Sequence, residues 1–164
     1  MNNGFQNKYY GFYKYIIQNS DFKKFAEVGI WKGKSLYNLW KLTRDREGVL
    51  IYGIDNFIDG GKETERECRE NLKDTDVQII DGDSICVAEI FQDRFFDMVF
   101  IDASHKYEDV KADILAWMPK VKQGGIIAGH DYVESQKGVK RAVDEILGGN
   151  CIKGFYGYCW YKKL

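Results

Sequence analysis

At 164 residues the chain fits one domain and is long enough to close a real core. A formal charge of −1 implies no broad electrostatic pull toward nucleic acid or an anionic membrane. No apolar run approaches the ~18 residues of a membrane span, and the opening MNNGFQNKYYGFYKYIIQNS lacks the apolar core of a signal peptide, so a soluble cytoplasmic protein is expected.

Residues 1–24 carry Phe5, Tyr9, Tyr10, Phe12, Tyr13 and Tyr15, ahead of Ile16-Ile17. Their spacing suggests a helix with one apolar face. Two readings stand side by side: a helix packed on the domain, or a lid whose Tyr9, Tyr10 or Tyr13 lines a substrate pocket. Phe25-Ala-Glu-Val-Gly29 reads as the first buried strand and Ser35 to Leu42 as a helix. Between them lies Gly29-Ile-Trp-Lys-Gly33. A Walker A loop needs four residues between its glycines, and this turn has three. The dinucleotide fingerprint G-x-G-x-x-G fails at Ile30-Trp31. What remains is E-x-G-x-x-x-G at a strand-to-helix turn, where backbone N–H groups suit a carboxylate and Glu27 suits an amine.

Val49 to Ile54 is the second strand, with Asp55 at its end. A carboxylate at this distance from the glycine turn resembles the one that doubly wound folds place on a ribose diol. Residues 59–74 are highly charged; Gly60-Gly61 reads as a mobile loop and Thr64 onward as a solvated helix. Val77 to Ile80 is the third strand, ending at Asp81-Gly-Asp83-Ser84, where an acid suits an adenine amine. A short helix follows over Ala88 to Phe91.

Asp97 to Ile101 is an apolar run that stops at Asp102. Tyr107, Val110, Ile114, Trp117 and Met118 then recur at helical spacing, with Ser104 placed as the cap. Gly124-Gly125 opens a further apolar run ending at His130-Asp131. Strand, helix and strand make a right-handed βαβ unit, so Asp102, His105, His130 and Asp131 fall on one sheet edge. Gly138 to Leu147 is a helix closed by Gly148-Gly149. The segments around Gly157 read as a closing antiparallel hairpin. Cys68, Cys86, Cys151 and Cys159 show no CxxC spacing, so neither a zinc site nor a disulfide framework is expected, and Cys86 reads as a core thiol.

The ordered series of acid-bearing strand ends, with FAEVGIWKGKS, YGIDNF, DGDS and FIDASHKYEDVKADILAWMPKVKQGGIIAGHDY, resembles a class I S-adenosylmethionine-dependent methyltransferase over roughly residues 25–164. The last block looks like the branch of bacterial sugar and antibiotic O-methyltransferases and, more distantly, catechol O-methyltransferases. The resemblance implies an α/β, Rossmann-like, doubly wound and mostly parallel seven-stranded sheet in the order 3-2-1-4-5-7-6 with a C-terminal antiparallel hairpin, and it leaves residues 1–24 outside as a helical cap segment read from their own spacing. It implies Glu27, Gly29, Gly33 and Ser35 around the methionine part, Asp55 and Asn56 on the ribose, Asp83 and Ser84 near adenine, and Asp102 beside the cofactor. It further implies Mg²⁺ held by Asp102 and Asp131, with His130 as a further candidate, and His105 as general base. Where catechol-type relatives present Asp-Asn after the fifth strand, this chain has His130-Asp131.

Such a set suits methyl transfer to a hydroxyl. A metal that binds the hydroxyl lowers its pKa, and a neutral histidine accepts the proton. Two neighbouring oxygens on one metal favour a sugar or other diol as the small-molecule acceptor. A domain that binds S-adenosylmethionine or a nucleotide without chemistry, and a metal-independent methyltransferase, remain as alternatives, and a homo-oligomer is left open.

Overall fold

The structure, a computed structural model, describes residues 9–164; Phe5 and the rest of the first eight positions lie outside the described residues. Among the described residues six α-helices and seven strands follow in chain order. They are α1 (Tyr10–Gln18), β1 (Lys24–Val28), α2 (Lys34–Thr43), β2 (Leu50–Asp55), α3 (Gly61–Leu72), β3 (Gln78–Asp81) and α4 (Ser84–Glu89). The second half contributes β4 (Phe96–Ile101), α5 (Tyr107–Trp117), β5 (Val121–Gly129), α6 (Lys137–Leu147), β6 (Ile152–Phe155) and β7 (Cys159–Lys163).

The strands form one sheet in the order β3-β2-β1-β4-β5-β7-β6, as the resemblance implied. β1 to β5 run parallel. β7 inserts antiparallel beside β5 and carries β6 on its outer edge.

Strand alternation sorts the core into two layers. Phe25, Met98, Phe100, Ile126 and Ala128 face α1, α2 and α3, where Phe12, Tyr13, Ile16, Leu36, Leu39 and Leu72 meet them. Ala26, Val28, Val99, Ile101 and Ile127 face the opposite way, onto Val110, Ile114, Trp117, Val139 and Val143 of α5 and α6. Glu27 follows Ala26 and so points to the α1–α2 side. Burying strands on both faces explains their near-continuous apolar runs, for which no polar alternation is needed.

Local differences from the sequence reading have physical reasons. α3 begins at Gly61 rather than Thr64, since Gly61 is left-handed at φ 64 and turns the chain directly into the helix. β5 starts at Val121, and the register between β4 and β5 shifts across Lys122–Gly125, so the expected glycine start is a bulge inside a longer strand. α4 covers Ser84–Glu89 because Asp83 caps it. Ser104 stands two residues ahead of the α5 cap position: its hydroxyl accepts the Lys106 N–H and donates to Asp109. Cys86 is exposed and its apolar neighbours Val87 and Ala88 take the core positions; all four cysteines are free.

Candidate active site

Backbone ladders continue one step past four of the parallel strands. Gly29 N–H donates to the Ile54 carbonyl, Asp102 N–H to Val28, Gly82 N–H to Asp55 and His130 N–H to Ile101. The strand ends are thereby levelled along one edge, and a cleft of about 830 Å³ opens over it. That volume lies in the range of small-molecule sites. Glu27, Gly29, Trp31, Asp55, Asp83 and Asp102 are among its walls.

Gly29 sits at φ 84, and a side chain there would strike the backbone of Asp102 and Ala103. The close approach of β1 and β4 ends therefore demands glycine. Gly33, also left-handed, begins α2 but faces Leu72 and Cys68 rather than the cleft. Asp55 holds the turn from below. Its Oδ2 accepts the N–H groups of Ile30 at 2.9 Å and Trp31 at 2.8 Å, and its Oδ1 that of Phe57 at 2.8 Å. Three of a carboxylate's roughly four acceptor directions are thus spent on the backbone. Asn56 lines the cleft and accepts the Ile58 N–H.

Glu27 is buried, with only 1% of its surface exposed. The Ser35 hydroxyl donates to its Oε1, and Tyr13 donates to its Oε2 at 2.6 Å. Burial pushes its carboxyl up to about 8, against the lowering effect of those two hydrogen bonds. Asp83 caps α4 by accepting from Ile85 and Cys86. Ser84 accepts from Trp117 Nε1 at 2.8 Å and donates to Asp113 Oδ1 at 2.6 Å. Asp113 was not picked out as a site residue, yet the signal was available. It occupies a position on the buried stripe Val110, Asp113, Ile114, Trp117 of α5, where a carboxylate is out of place.

Beyond Asp102, the ends of β4 and β5 bring together what the sequence had separated. Asp102, His105 and Asp131 each offer a ligand atom, and these atoms lie within 4.8 Å of one another. His105 Nε2 is 2.6 Å from Asp131 Oδ2. Asp131 holds its place at φ 60, a left-handed conformation for a residue with a side chain, which is strain of the kind found at functional positions. His130 is buried. Its Nε2 donates to the Gly157 carbonyl at 2.6 Å in the β6–β7 turn, and its Nδ1 lies 2.8 Å from Asp131 Oδ1. Both ring nitrogens are therefore engaged by the protein, while Asp102 Oδ1 lies farther from His130 Nδ1, at 3.9 Å. From above, the Tyr9 hydroxyl donates to Asp102 Oδ2, and its ring lies edge-on to His130. Tyr13 is buried on Glu27 and Tyr10 faces outward. Two carboxylates and an imidazole at this spacing fit a divalent cation, the oxygens matching a hard ion such as Mg²⁺.

A doubly wound sheet in this order, with a glycine turn after β1 and acids at the strand ends, defines a class I S-adenosylmethionine-dependent methyltransferase. The chain belongs to the family described as "Methyltransferase domain", whose model matches residues 26–132. Among solved structures it is similar to a Bacillus cereus O-methyltransferase in complex with S-adenosylhomocysteine, at 18% identity and TM-score 0.70, covering 93% of this chain and 77% of that one. An S-adenosylhomocysteine-bound methyltransferase from Podospora anserina aligns at 13% identity and TM-score 0.74, covering 94% and 76%. A TDP-rhamnose 3'-O-methyltransferase of calicheamicin biosynthesis aligns at 16% identity and TM-score 0.71, covering 94% and 76%. Among curated protein sequences none matches. No helix among the described residues is long and apolar enough to cross a membrane.

Proposed function

We propose that the protein transfers a methyl group to a hydroxyl of a small molecule bearing two neighbouring oxygens, a sugar or another diol, with Mg²⁺ held by Asp102 and Asp131. The observation that carries this reading is the convergence of Asp102, His105 and Asp131 at the mouth of a cleft walled by Glu27, Gly29 and Asp55. The similarity to a sugar O-methyltransferase supports the acceptor class. The described part of the expected cap, α1 with Tyr9 ahead of it, covers the domain formed by residues 25–164, with Tyr9 closing the cleft over Asp102. Four free cysteines accord with a cytoplasmic location.

In this reading S-adenosylmethionine supplies the methyl group from its sulfonium. The divalent cation supplies charge that makes the acceptor hydroxyl easier to deprotonate. The chain does the rest. The Gly29 turn and Asp55 orient the methionine and ribose parts, so that the reacting atoms meet in line. Glu27 receives the amine. His105 donates through Nε2 to Asp131, which leaves Nδ1 to take the acceptor's proton. A second reading makes His105 a metal ligand, because its ring nitrogen lies as close to the carboxylates as a ligand would.

The test is calorimetry with S-adenosylhomocysteine, followed by transfer assays on vicinal diols and catechols with Mg²⁺ and with chelator. Binding of S-adenosylhomocysteine and chelator-sensitive transfer are expected. Preference for ATP or NAD would overturn the donor assignment, and transfer that survives exhaustive chelation would overturn the metal. Metal titration of His105→Ala separates base from ligand: a base variant keeps its metal affinity.

A further inference from the structure

The donor cleft contains a buried carboxylate with a job still open. Asp113 is 5% exposed and lies in the cleft wall beside Asp83, Ser84 and Ile85. A directed chain of hydrogen bonds reaches it. Indole N–H can only donate, so Trp117 Nε1 gives its proton to Ser84 Oγ. The single Ser84 proton must then go to Asp113 Oδ1. Trp117 is itself fully buried, which fixes the chain's origin. Asp113 Oδ2 has no hydrogen-bond partner among the described residues. Glu27, the other buried acid of the cleft, has both oxygens filled.

A buried acceptor left open costs free energy unless something donates to it. Burial raises the Asp113 carboxyl to about 6, against the lowering effect of Ser84. A ligand that brings an N–H into this wall relieves the cost.

We propose that Asp113 is the residue that reads the base of the methyl donor, its Oδ2 accepting a hydrogen bond from the exocyclic amine of a 6-aminopurine while Ser84 and Trp117 hold the carboxylate in place. The inference rests on the cleft being the donor site. It displaces Asp83, whose Oδ1 is committed to the α4 N-terminus, from the role expected of it. Three features select the purine end. The Asp102, His105 and Asp131 cluster stands where the methyl group must arrive. The Gly29 turn and Asp55 lie next along the edge, at the ends of β1 and β2. Asp113 borders the segment after β3, the farthest of these strands from the cluster.

The experiment compares S-adenosylhomocysteine with its analogue carrying hydrogen in place of the 6-amino group, by calorimetry on wild-type protein, Asp113→Asn and Asp113→Ala. Wild type should prefer the amino compound by about 10-fold to 150-fold, the range of a hydrogen bond to a charged acceptor. In Asp113→Asn the Ser84 proton keeps the amide oxygen, so an N–H₂ group faces the purine amine and the preference should fall to within about twofold. Asp113→Ala, measured with its melting curve, should behave likewise. Wild type that binds both compounds equally, or variants that keep the preference, would overturn the assignment. Wild type that binds neither compound would instead overturn the donor-site reading on which it rests.

Discussion

The two ends of the sheet edge use the same residue types in opposite ways. At the β1–β2–β3 end each acid is tied to its own backbone or to a neutral hydroxyl: Asp55 to the Ile30, Trp31 and Phe57 amides, Asp83 to the α4 N-terminus, Glu27 to Ser35 and Tyr13. At the β4–β5 end Asp102 and Asp131 approach each other and two histidines. The first arrangement builds a socket whose strand-end acids are held by the fold, with the open oxygen of Asp113 left for a ligand. The second gathers like charges that a cation would relieve. Shape is therefore held at one end and reactivity concentrated at the other.

If that division is correct, the largest effect of any single substitution belongs to the reactive end. His105→Ala is expected to lower turnover by about 10²-fold to 10⁴-fold, the usual contribution of a general base. Its affinity for S-adenosylhomocysteine should stay within about twofold and its melting temperature close to wild type, because the His105 side chain is 44% exposed and supports little packing. Turnover and melting measured on one preparation decide the matter. A variant that melts earlier but keeps its turnover would place His105 with the structural residues and erase the contrast.

The socket end should respond in stability, and to pH. Glu27 titrates near 8 in the folded protein, whereas an unfolded glutamate titrates near 4.3. The native state therefore binds this proton more tightly. The stability it contributes is full below about pH 4 and is lost as pH rises through about 8. Across that window the single proton should lower wild-type stability by at most about 1.4 kcal/mol per pH unit relative to Glu27→Gln. Urea midpoints from pH 5 to 8.5 for the two proteins measure the difference. Saturating S-adenosylhomocysteine should shrink the slope if its amine faces Glu27, because a cation favours the ionised carboxylate. Parallel curves for the two proteins would show that Glu27 is not the buried acid the socket requires.

Most of this architecture was legible in the residues. Apolar runs that stop at Gly29, Asp55, Asp102 and His130 mark strands buried on both faces, and the glycine turn after the first fixes where a cleft can open. The βαβ unit already put Asp102 and Asp131 on one sheet edge, but distances along the chain could not show what each acid bonds to. Asp55 ends β2 and turns to the backbone amides of Ile30, Trp31 and Phe57, whereas Asp102 follows β4 and meets Asp131 and His105. The engagement of His130 by Gly157 was hidden because it depends on the hairpin turn folding back over β5. Asp113 was overlooked for a different reason. Apolar periodicity alone passes over Asp113, because the carboxylate takes a place on the buried stripe of Val110, Ile114 and Trp117 that an apolar residue would fill.

The smallest effect concerns Asp83, and it tests whether the socket's acids are truly structural. Its carboxylate caps a helix of only six residues, accepting from Ile85 at 3.0 Å and Cys86 at 3.1 Å. Losing such a cap costs about 1 kcal/mol, because two amides at the α4 start lose their acceptor and a favourable charge leaves the helix N-terminus. Asp83→Ala should therefore lower stability by about that amount in urea titration, and Asp83→Ser should recover most of it, since serine caps nearly as well. Neither variant should change the preference for S-adenosylhomocysteine over its deaminated analogue, because the amine is read by Asp113. A lost preference in both variants, with stability unchanged, would return the purine to Asp83.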